Sequence, residues 1–339
     1  MSQTQSNDIA KTIKPPKKTL YPSQAKALVQ KYGFWRTLGK QWELALLSVP
    51  FLLFVIVNNY FPIWGWSYAF FEAGKDMFPN FDAFRGFDFF TEIFTKEMLL
   101  YAIRNTLGIS VLNLVLGYVS SIGLAVLLNE VRVKWFKRTV QTISYLPHFV
   151  SWVVAATLIN IALSPESGIV NQVLVNIGVL RAPKNFILDA SPGFWLLMAI
   201  TNVWKSIGWS AIIYIAAMAG IDPELYDAAS VDGAGRIRRI FAITLPGIFP
   251  IIKLLMILSI GNLFRTNFEQ LLLLQRPFTI NYSEVVDTYI FKLVWNNPNR
   301  MRVNIPMGTA AGIANSLISF ILVLTANRLS RLQDGESMF

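Results

Sequence analysis

The chain has 339 residues, of which 54% are hydrophobic and only 15% charged, well below the charged share of an ordinary soluble domain. It has no cysteine and one histidine, His148, which excludes a disulfide framework, a thiolate nucleophile and a cysteine- or histidine-rich metal site. A net charge of +10 on so apolar a chain points to anionic lipid headgroups and membrane orientation rather than to nucleic acid.

Residues 1–41 form a basic arm with Lys11, Lys14, Lys17, Lys18, Lys26, Lys31, Arg36 and Lys40. The arm is too polar to bury a core and reads as solvated, although Ser23–Gln41 also has the spacing of an amphipathic surface helix. About forty polar residues before the first apolar run argue against a cleavable signal.

A helix needs about 20 apolar residues to cross a bilayer, and six stretches qualify. The first is Glu43–Phe61. The phenylalanine-dense FPNFDAFRGFDFF (Phe78 to Phe90) follows it and reads as an interfacial aromatic belt, or as a surface for sugar or a protein partner. The second span is Asn105–Leu128, followed by a basic turn with Arg132, Lys134, Lys137 and Arg138. The third, Val140–Leu163, contains Pro147, which lacks an N–H donor and is expected to kink it. The fourth, Gly193–Gly220, is longer than the minimum and is interrupted by Asn202, Lys205 and Gly208. It is expected to tilt, or to lie partly outside the hydrocarbon. The fifth is Ile240–Leu263 and the sixth Ile305–Ala326, with the small-residue pattern GTAAG at Gly308–Gly312, a signature of close helix packing. Between these two, Ser283–Trp295 reads as an amphipathic helix on an outer rim. The positive-inside rule puts the arm, the turn near Arg132, the stretch with Arg236, Arg238 and Arg239, and the end with Arg328 and Arg331 on the cytoplasmic side. The larger segments 62–101, 164–192 and 264–304 then lie outside.

Between the fourth and fifth spans runs ELYDAASVDGAGRIRRIFAITLP (Glu224 to Pro246). Asp222 is placed to N-cap a helix that Pro223 starts. Leu225, Ala228, Ala229 and Asp232 share a face by three- and four-residue spacing. Gly233 permits a turn, and a second helix resumes at Arg236. Such a segment fits a groove in another protein or packs on the membrane surface.

The stretch DAASVDGAGRIRRIFAITLP resembles the EAA loop of ABC-importer permeases, with Ala228, Ala229, Asp232, Gly233, Ala234, Ile243, Leu245 and Pro246 at the family spacing. Asp227 stands where the family usually has glutamate, so a salt bridge there has one methylene less reach. The similarity extends over Leu99–Leu332. RNTLGISVLNLVLGYVSSIGLAVLLNEV, FKRTVQTISYLPHFVSWVV, SGIVNQVL, NFEQLLLL, VVDTYIFKLV and ANRLSRL are similar to the carbohydrate permeases associated with surface lipoproteins.

The resemblance implies an all-α integral membrane protein of type I ABC-importer architecture, with six transmembrane helices and a cytoplasmic coupling helix. It divides the chain into the arm 1–41, a first helix with the aromatic-rich segment at 42–98, a core at 99–332 containing the loop 222–246, and a tail at 333–339. It implies a sugar importer of the bacterial cytoplasmic membrane, working as a heterodimer with a second permease. Its other partners would be an ATPase dimer carrying ATP and Mg, and an extracellular binding lipoprotein that delivers an oligosaccharide. The coupling residues would be Glu224, Asp227, Ala228, Ala229, Asp232, Gly233, Ala234 and Arg236.

The residues themselves exclude ATP chemistry on this chain. The nearest approach to a phosphate loop, GFWRTLGKQ from Gly33, has the wrong glycine spacing and Gln41 in the hydroxyl position. His148 reads as packed or pore-facing. Asn113, Asn160, Asn202, Trp204, Lys205, Trp209, Asn262 and Asn315 place amides, aromatic faces and one charge within the spans; each serves either a cavity or helix–helix hydrogen bonding. Two groups are expected to line the substrate pathway. One is Asn202, Trp204 and Lys205; the other is Asn262, Arg265, Asn267 and Glu269. The alternative, an ion-coupled secondary transporter of a small polar solute, would call for repeated halves and acidic groups within the spans; the sequence shows no internal repeat, and Asp and Glu are nearly absent from the span interiors.

Overall fold

The computed structural model describes residues 42–73, 79–295 and 304–334. The arm 1–41, with its basic cluster and the Gly33 segment, lies outside the described residues. So do Phe78 of the aromatic stretch and residues 335–339 of the tail.

The chain divides into two units, residues 1–65 and 66–339. In the first, α1 (Trp42–Val55) runs into a π-helical turn, Ile56–Tyr60, and the 3-10 segment Phe61–Ala69 begins. Leu46, Leu52, Phe54 and Val55 are exposed and point in four different directions round the helix, so α1 is apolar on every side rather than along one stripe, the pattern of a helix solvated by lipid.

The second unit opens with a two-stranded antiparallel hairpin, β1 (Phe71–Ala73) and β2 (Pro79–Phe84), in which Phe71 opposes Phe84. This small sheet is a minor addition to a mostly helical chain. Glu72 and Arg85 pair across it. Next come α2 (Asp88–Phe94), α3 (Glu97–Glu130), α4 (Lys134–Phe149), α5 (Trp152–Ala162) and α6 (Ile169–Asn176). The long α7 (Gly193–Ala219) is followed by the short α8 (Pro223–Val231) and α9 (Arg236–Arg239). Then come α10 (Leu245–Gly261), α11 (Phe268–Leu274), α12 (Ile280–Ser283), α13 (Val286–Trp295) and α14 (Ile305–Asp334).

Among the described residues, five helical stretches are long and apolar enough to cross a membrane: Ala45–Ala69, Glu97–Glu130, Gly193–Ala219, Arg236–Gly261 and Ile305–Arg328. A sixth is counted only if α4 and α5 form one span, and they are bent by 107°. The expected kink at Pro147 is therefore a break two residues later. The helix passes Pro147 and ends at Phe149, where the Val150 N–H turns back to the Pro147 carbonyl. Val150 and Ser151 are extended, and the Ser151 hydroxyl caps α5 by accepting from Val154 N–H at 3.4 Å.

The fourth span, by contrast, is unbroken despite Asn202, Lys205 and Gly208. Gly208 sits where a Cβ would lie 2.1 Å from the Ser144 carbonyl oxygen, so its missing side chain lets α4 lie against α7.

Three apolar clusters hold this unit together. Leu99, Ala102, Phe264, Tyr289, Met307 and Ala310 join α3, α13 and α14. Phe70, Phe89 and Phe90 pack on this cluster, whereas Phe84 and Phe87 stay exposed. Within the aromatic stretch, Phe89 and Phe90 thus serve packing. Ile109, Ile159, Phe194, Met198, Leu271 and Leu274 join α3, α5, α7 and α11. Ala125, Ala211, Tyr214, Met218, Ile248 and Ile252 join α3, α7 and α10. In the GTAAG pattern, Gly308 abuts Val294 of α13, and Ala310 and Ala311 are buried.

Polar groups tie the α11–α13 region to the long helices. The buried Asn105 donates to the carbonyls of Asn281 and Glu284. Buried Glu284 accepts from Lys292 Nζ at 2.5 Å and from Thr288 Oγ1 at 2.8 Å. Satisfied in this way, a buried carboxylate is tolerable where an unpaired one would cost several kcal/mol.

Candidate functional site

A cavity of about 370 Å³ opens between α3, α7 and α10. On α7 the lining residues recur every fourth position, Asn202, Ser206, Ser210 and Tyr214, so one stripe of the helix faces it. Opposite stand Ser110, Asn113, Tyr118 and Ser121 of α3, and Ser259 of α10. Its edge is the non-helical turn 262–267 between α10 and α11, with Asn262, Arg265, Thr266 and Asn267. Irregular backbone at such a position is tolerable only beside protein or water.

The amides form a chain. Asn267 Nδ2 donates to Asn202 Oδ1 at 2.5 Å, and Asn202 Nδ2 donates to Asn113 Oδ1 at 3.1 Å. The Tyr118 and Ser259 hydroxyls are hydrogen-bonded at 3.0 Å. Asp287 of α13 fixes the turn by accepting from Thr266 N–H at 3.0 Å and Thr266 Oγ1 at 3.2 Å. Burial pushes its carboxyl above the ordinary aspartate range, opposed by those two bonds and by the charge of Arg265. A wall of hydroxyls and amides offers donors and acceptors in turn.

Of the expected pathway residues, Asn202, Asn262, Arg265 and Asn267 line this cavity. The other three lie elsewhere. Trp204 is two residues from Asn202, hence on another helix face, and borders an apolar groove with Leu158, Leu174 and Leu197. Buried Lys205 donates to the His148 carbonyl at 2.8 Å and lies 5.4 Å from the Trp152 ring, pinning the α4–α5 bend. Glu269 is an exposed residue of α11. Asn113 faces the cavity, but Asn160 accepts from Arg276, Asn315 donates to the Phe264 carbonyl, and Trp209 stacks on His148 at 4.6 Å. The serines of α7 and α3 were missed, although Ser206 and Ser210 repeat the spacing that begins at Asn202. Among the described residues no group of three His, Cys, Asp or Glu could hold a metal ion.

A second feature lies at the far end of α7. Asp222 Oδ1 accepts from Glu224 N–H at 3.0 Å and starts α8. The helix ends on Gly233, whose φ of +74° lies in the left-handed region. Gly233 N–H returns to Ser230 O, and Ala234 N–H to Ala229 O, a closure that favours glycine. Arg239 Nη1 donates to Ser230 Oγ at 2.7 Å, and the Tyr226 and Thr244 hydroxyls meet at 2.9 Å, so α8 is fastened to the helix leading into α10. That helix is continuous from Arg236 to Gly261 through a π-turn at Ile240–Thr244, just before Pro246. Leu225, Ala228 and Asp232 are exposed and Ala229 is half-buried. Val231 and Ile237, which the sequence did not single out, are 89% and 73% exposed.

The family model for the binding-protein-dependent transport system inner membrane component matches residues 113–335, which include the α8 loop and the cavity lining apart from Ser110. The chain belongs to this family.

The permease is 34% identical to the polygalacturonan/rhamnogalacturonan transport system permease protein YteP of Bacillus subtilis (strain 168), over 88% of this chain and 91% of that protein. It is 33% identical to protein LplB of the same organism, over 87% and 91%. A crystal structure of a bacterial ABC transporter involved in import of the acidic polysaccharide alginate matches with a TM-score of 0.79 and 36% identity, covering 88% of this chain and 99% of that one. A crystal structure of bacterial alginate ABC transporter in complex with alginate pentasaccharide-bound periplasmic protein matches equally well in TM-score, at 35% identity. The permease therefore has the helical type I ABC-importer fold, and its place is the inner membrane.

Proposed function

We propose that this permease forms part of the translocation path of an ATP-driven importer for an oligosaccharide, delivered by an extracellular binding protein. The observation that carries the reading is the cavity: hydroxyls and amides gathered from three spans in an otherwise apolar body. Asn202, Asn262, Arg265 and Asn267 belong to the path, joined by Ser206, Ser210 and Tyr214; Trp204, Lys205 and Glu269 stand aside from it. The names of the relatives, which concern polymeric sugars, support the substrate class.

A separate ATPase dimer, carrying ATP and Mg, docks on the cytoplasmic loop 222–246. Glu224, Asp227, Ala228, Ala229, Asp232, Gly233, Ala234 and Arg236 provide the surface. The exposure of α8 and its ties to α10 support this assignment. A second, related permease completes the membrane part, and both termini lie on the ATPase side.

The test is purification of the tagged chain from its native membrane in mild detergent, followed by mass spectrometry and reconstitution. A second permease and a P-loop ATPase should co-purify, and vesicles should take up oligosaccharide only with ATP and the binding protein. A solitary chain that transports along an ion gradient would refute the reading.

A further inference from the structure

A second hollow has a chemistry opposite to that of the cavity. It is a groove of about 730 Å³ between α5, α6 and α7, with almost wholly apolar walls. Leu158 and Ala162 of α5 and Leu174 of α6 line it together with Leu196, Ile200 and Trp204 of α7. The α7 residues recur every fourth position, on a different stripe from the one that carries Asn202 and Ser206. Leu158, Leu196, Ile200 and Trp204 are exposed, so the groove opens to the surroundings of the protein.

Charge is confined to one end. At the rim Lys184 Nζ donates to Asp189 Oδ2 at 2.7 Å, and half of the Lys184 side chain is exposed. The rim is held in place by the buried Asn171, which accepts from Lys184 N–H at 2.8 Å and donates to the carbonyls of Leu163, Ser164 and Lys184. It lies beside Gly193, at the end of α7 away from α8. From Gly193 to Trp204 the helix rises about 16 Å, the depth of one leaflet in a hydrocarbon core about 30 Å thick.

We propose that this groove binds a diacyl phospholipid with an amine headgroup, phosphatidylethanolamine, from the leaflet opposite the α8 loop. Its phosphate accepts from Lys184, its ammonium donates to Asp189, and its acyl chains lie along Leu196 and Ile200 towards Trp204. A fixed pair with one charge of each sign matches a zwitterion, and both new bonds are charge-assisted. A protein helix is the poorer occupant. It would run through the whole core of about 30 Å, twice the length of the groove, and would set apolar side chains against the ion pair. This lipid site is independent of the importer reading, because it requires only that the chain lies in a membrane.

The experiment uses the whole complex, purified through a tag on this chain and reconstituted in vesicles of phosphatidylethanolamine and phosphatidylglycerol in equal parts. A trace of either lipid carries a diazirine on one acyl chain, and labelled peptides are mapped by mass spectrometry after irradiation. Phosphatidylethanolamine should label 158–163 and 196–204 in preference to phosphatidylglycerol. That preference should exceed the one measured on α1 by about fivefold or more, as one added hydrogen bond implies. Lys184→Gln should reduce it towards the α1 value. Ile200→Trp should fill the groove and remove its label while α1 stays labelled. Val119→Trp, at an exposed position outside the groove, should change neither. A photoreactive amino acid at position 200 should capture lipid.

A headgroup preference in the groove no greater than on α1, or one for phosphatidylglycerol, would overturn the proposal. So would undiminished groove label in Ile200→Trp. Capture of a second protein from position 200 would make the groove a protein interface and overturn it as well.

Discussion

Asn267 donates its side-chain amide to Asn202 Oδ1 at 2.5 Å, joining the start of α11 to α7 across 65 residues of chain. Asn202 also reaches Asn113 of α3. A sugar hydroxyl entering the cavity can exchange with either amide at little net cost, because each bond lost is replaced by one of the same kind.

Asn202→Ala should therefore lower uptake by reconstituted vesicles more than Asn267→Ala does, since it strands two partners instead of one. Each lost bond is worth about 1 kcal/mol, roughly fivefold in rate or affinity. Co-purification of the complex should not change. Wild-type uptake in both variants would remove this amide chain from the path.

Gly233 closes α8 at φ +74°, and a Cβ there would meet no heavy atom within 4 Å. Its replacement by alanine should thus cost only the backbone penalty, about 1–2 kcal/mol. Gly233→Glu adds bulk and charge on the proposed ATPase surface. We expect that variant to insert normally and to hydrolyse ATP without importing sugar, which paired ATPase and uptake assays would detect. Normal uptake would sink the coupling role of the loop.

Gly208 tests the packing of α4 on α7. Alanine would bring a methyl to 2.1 Å from the Ser144 carbonyl oxygen, a backbone atom that cannot swing aside. Gly208→Ala should lower the thermal midpoint in detergent, by an overpacking cost of about 1–3 kcal/mol. Gly312→Ala is the control: it has open space around it and should be neutral or slightly stabilising.

The Asp287 carboxyl is raised by burial, with Thr266 acting against that shift. The folded chain then holds this proton more readily than the unfolded one. The group's contribution favours folding in acid and is lost as pH rises from the ordinary aspartate range through the folded value. Paired melts of wild type and Asp287→Asn should diverge in favour of the variant as pH rises from about 4 to 7. A difference that stays constant with pH would contradict the shift.

Much of the spanning pattern and the whole cap-to-glycine outline of α8 were legible, because each depends on local chemistry: Asp222 before Pro223, and glycine at the left-handed position. The α4–α5 break was only half legible. Proline announced a disturbance, but Ser151, a good cap four residues later, decided where the next helix begins. The cavity was partly legible for a geometric reason. Neighbours in sequence, Asn202, Trp204 and Lys205, were grouped together, whereas a helix groups positions four apart, which would have drawn in Ser206 and Ser210. The fate of Lys205 was not legible, because its acceptor, the His148 carbonyl, exists only where α4 stops.

The bonds from Tyr226 to Thr244 and from Ser230 to Arg239 have a mechanical consequence. They clamp α8 to one end of a continuous rod whose other end carries Ser259 at the cavity wall. From Thr244 to Ser259 the rod measures about 22 Å at 1.5 Å per residue. A tilt of about 10° pivoting at Thr244 would sweep Ser259 sideways by roughly 4 Å, a displacement on the scale of one sugar ring, from leverage alone and without any helix having to unwind.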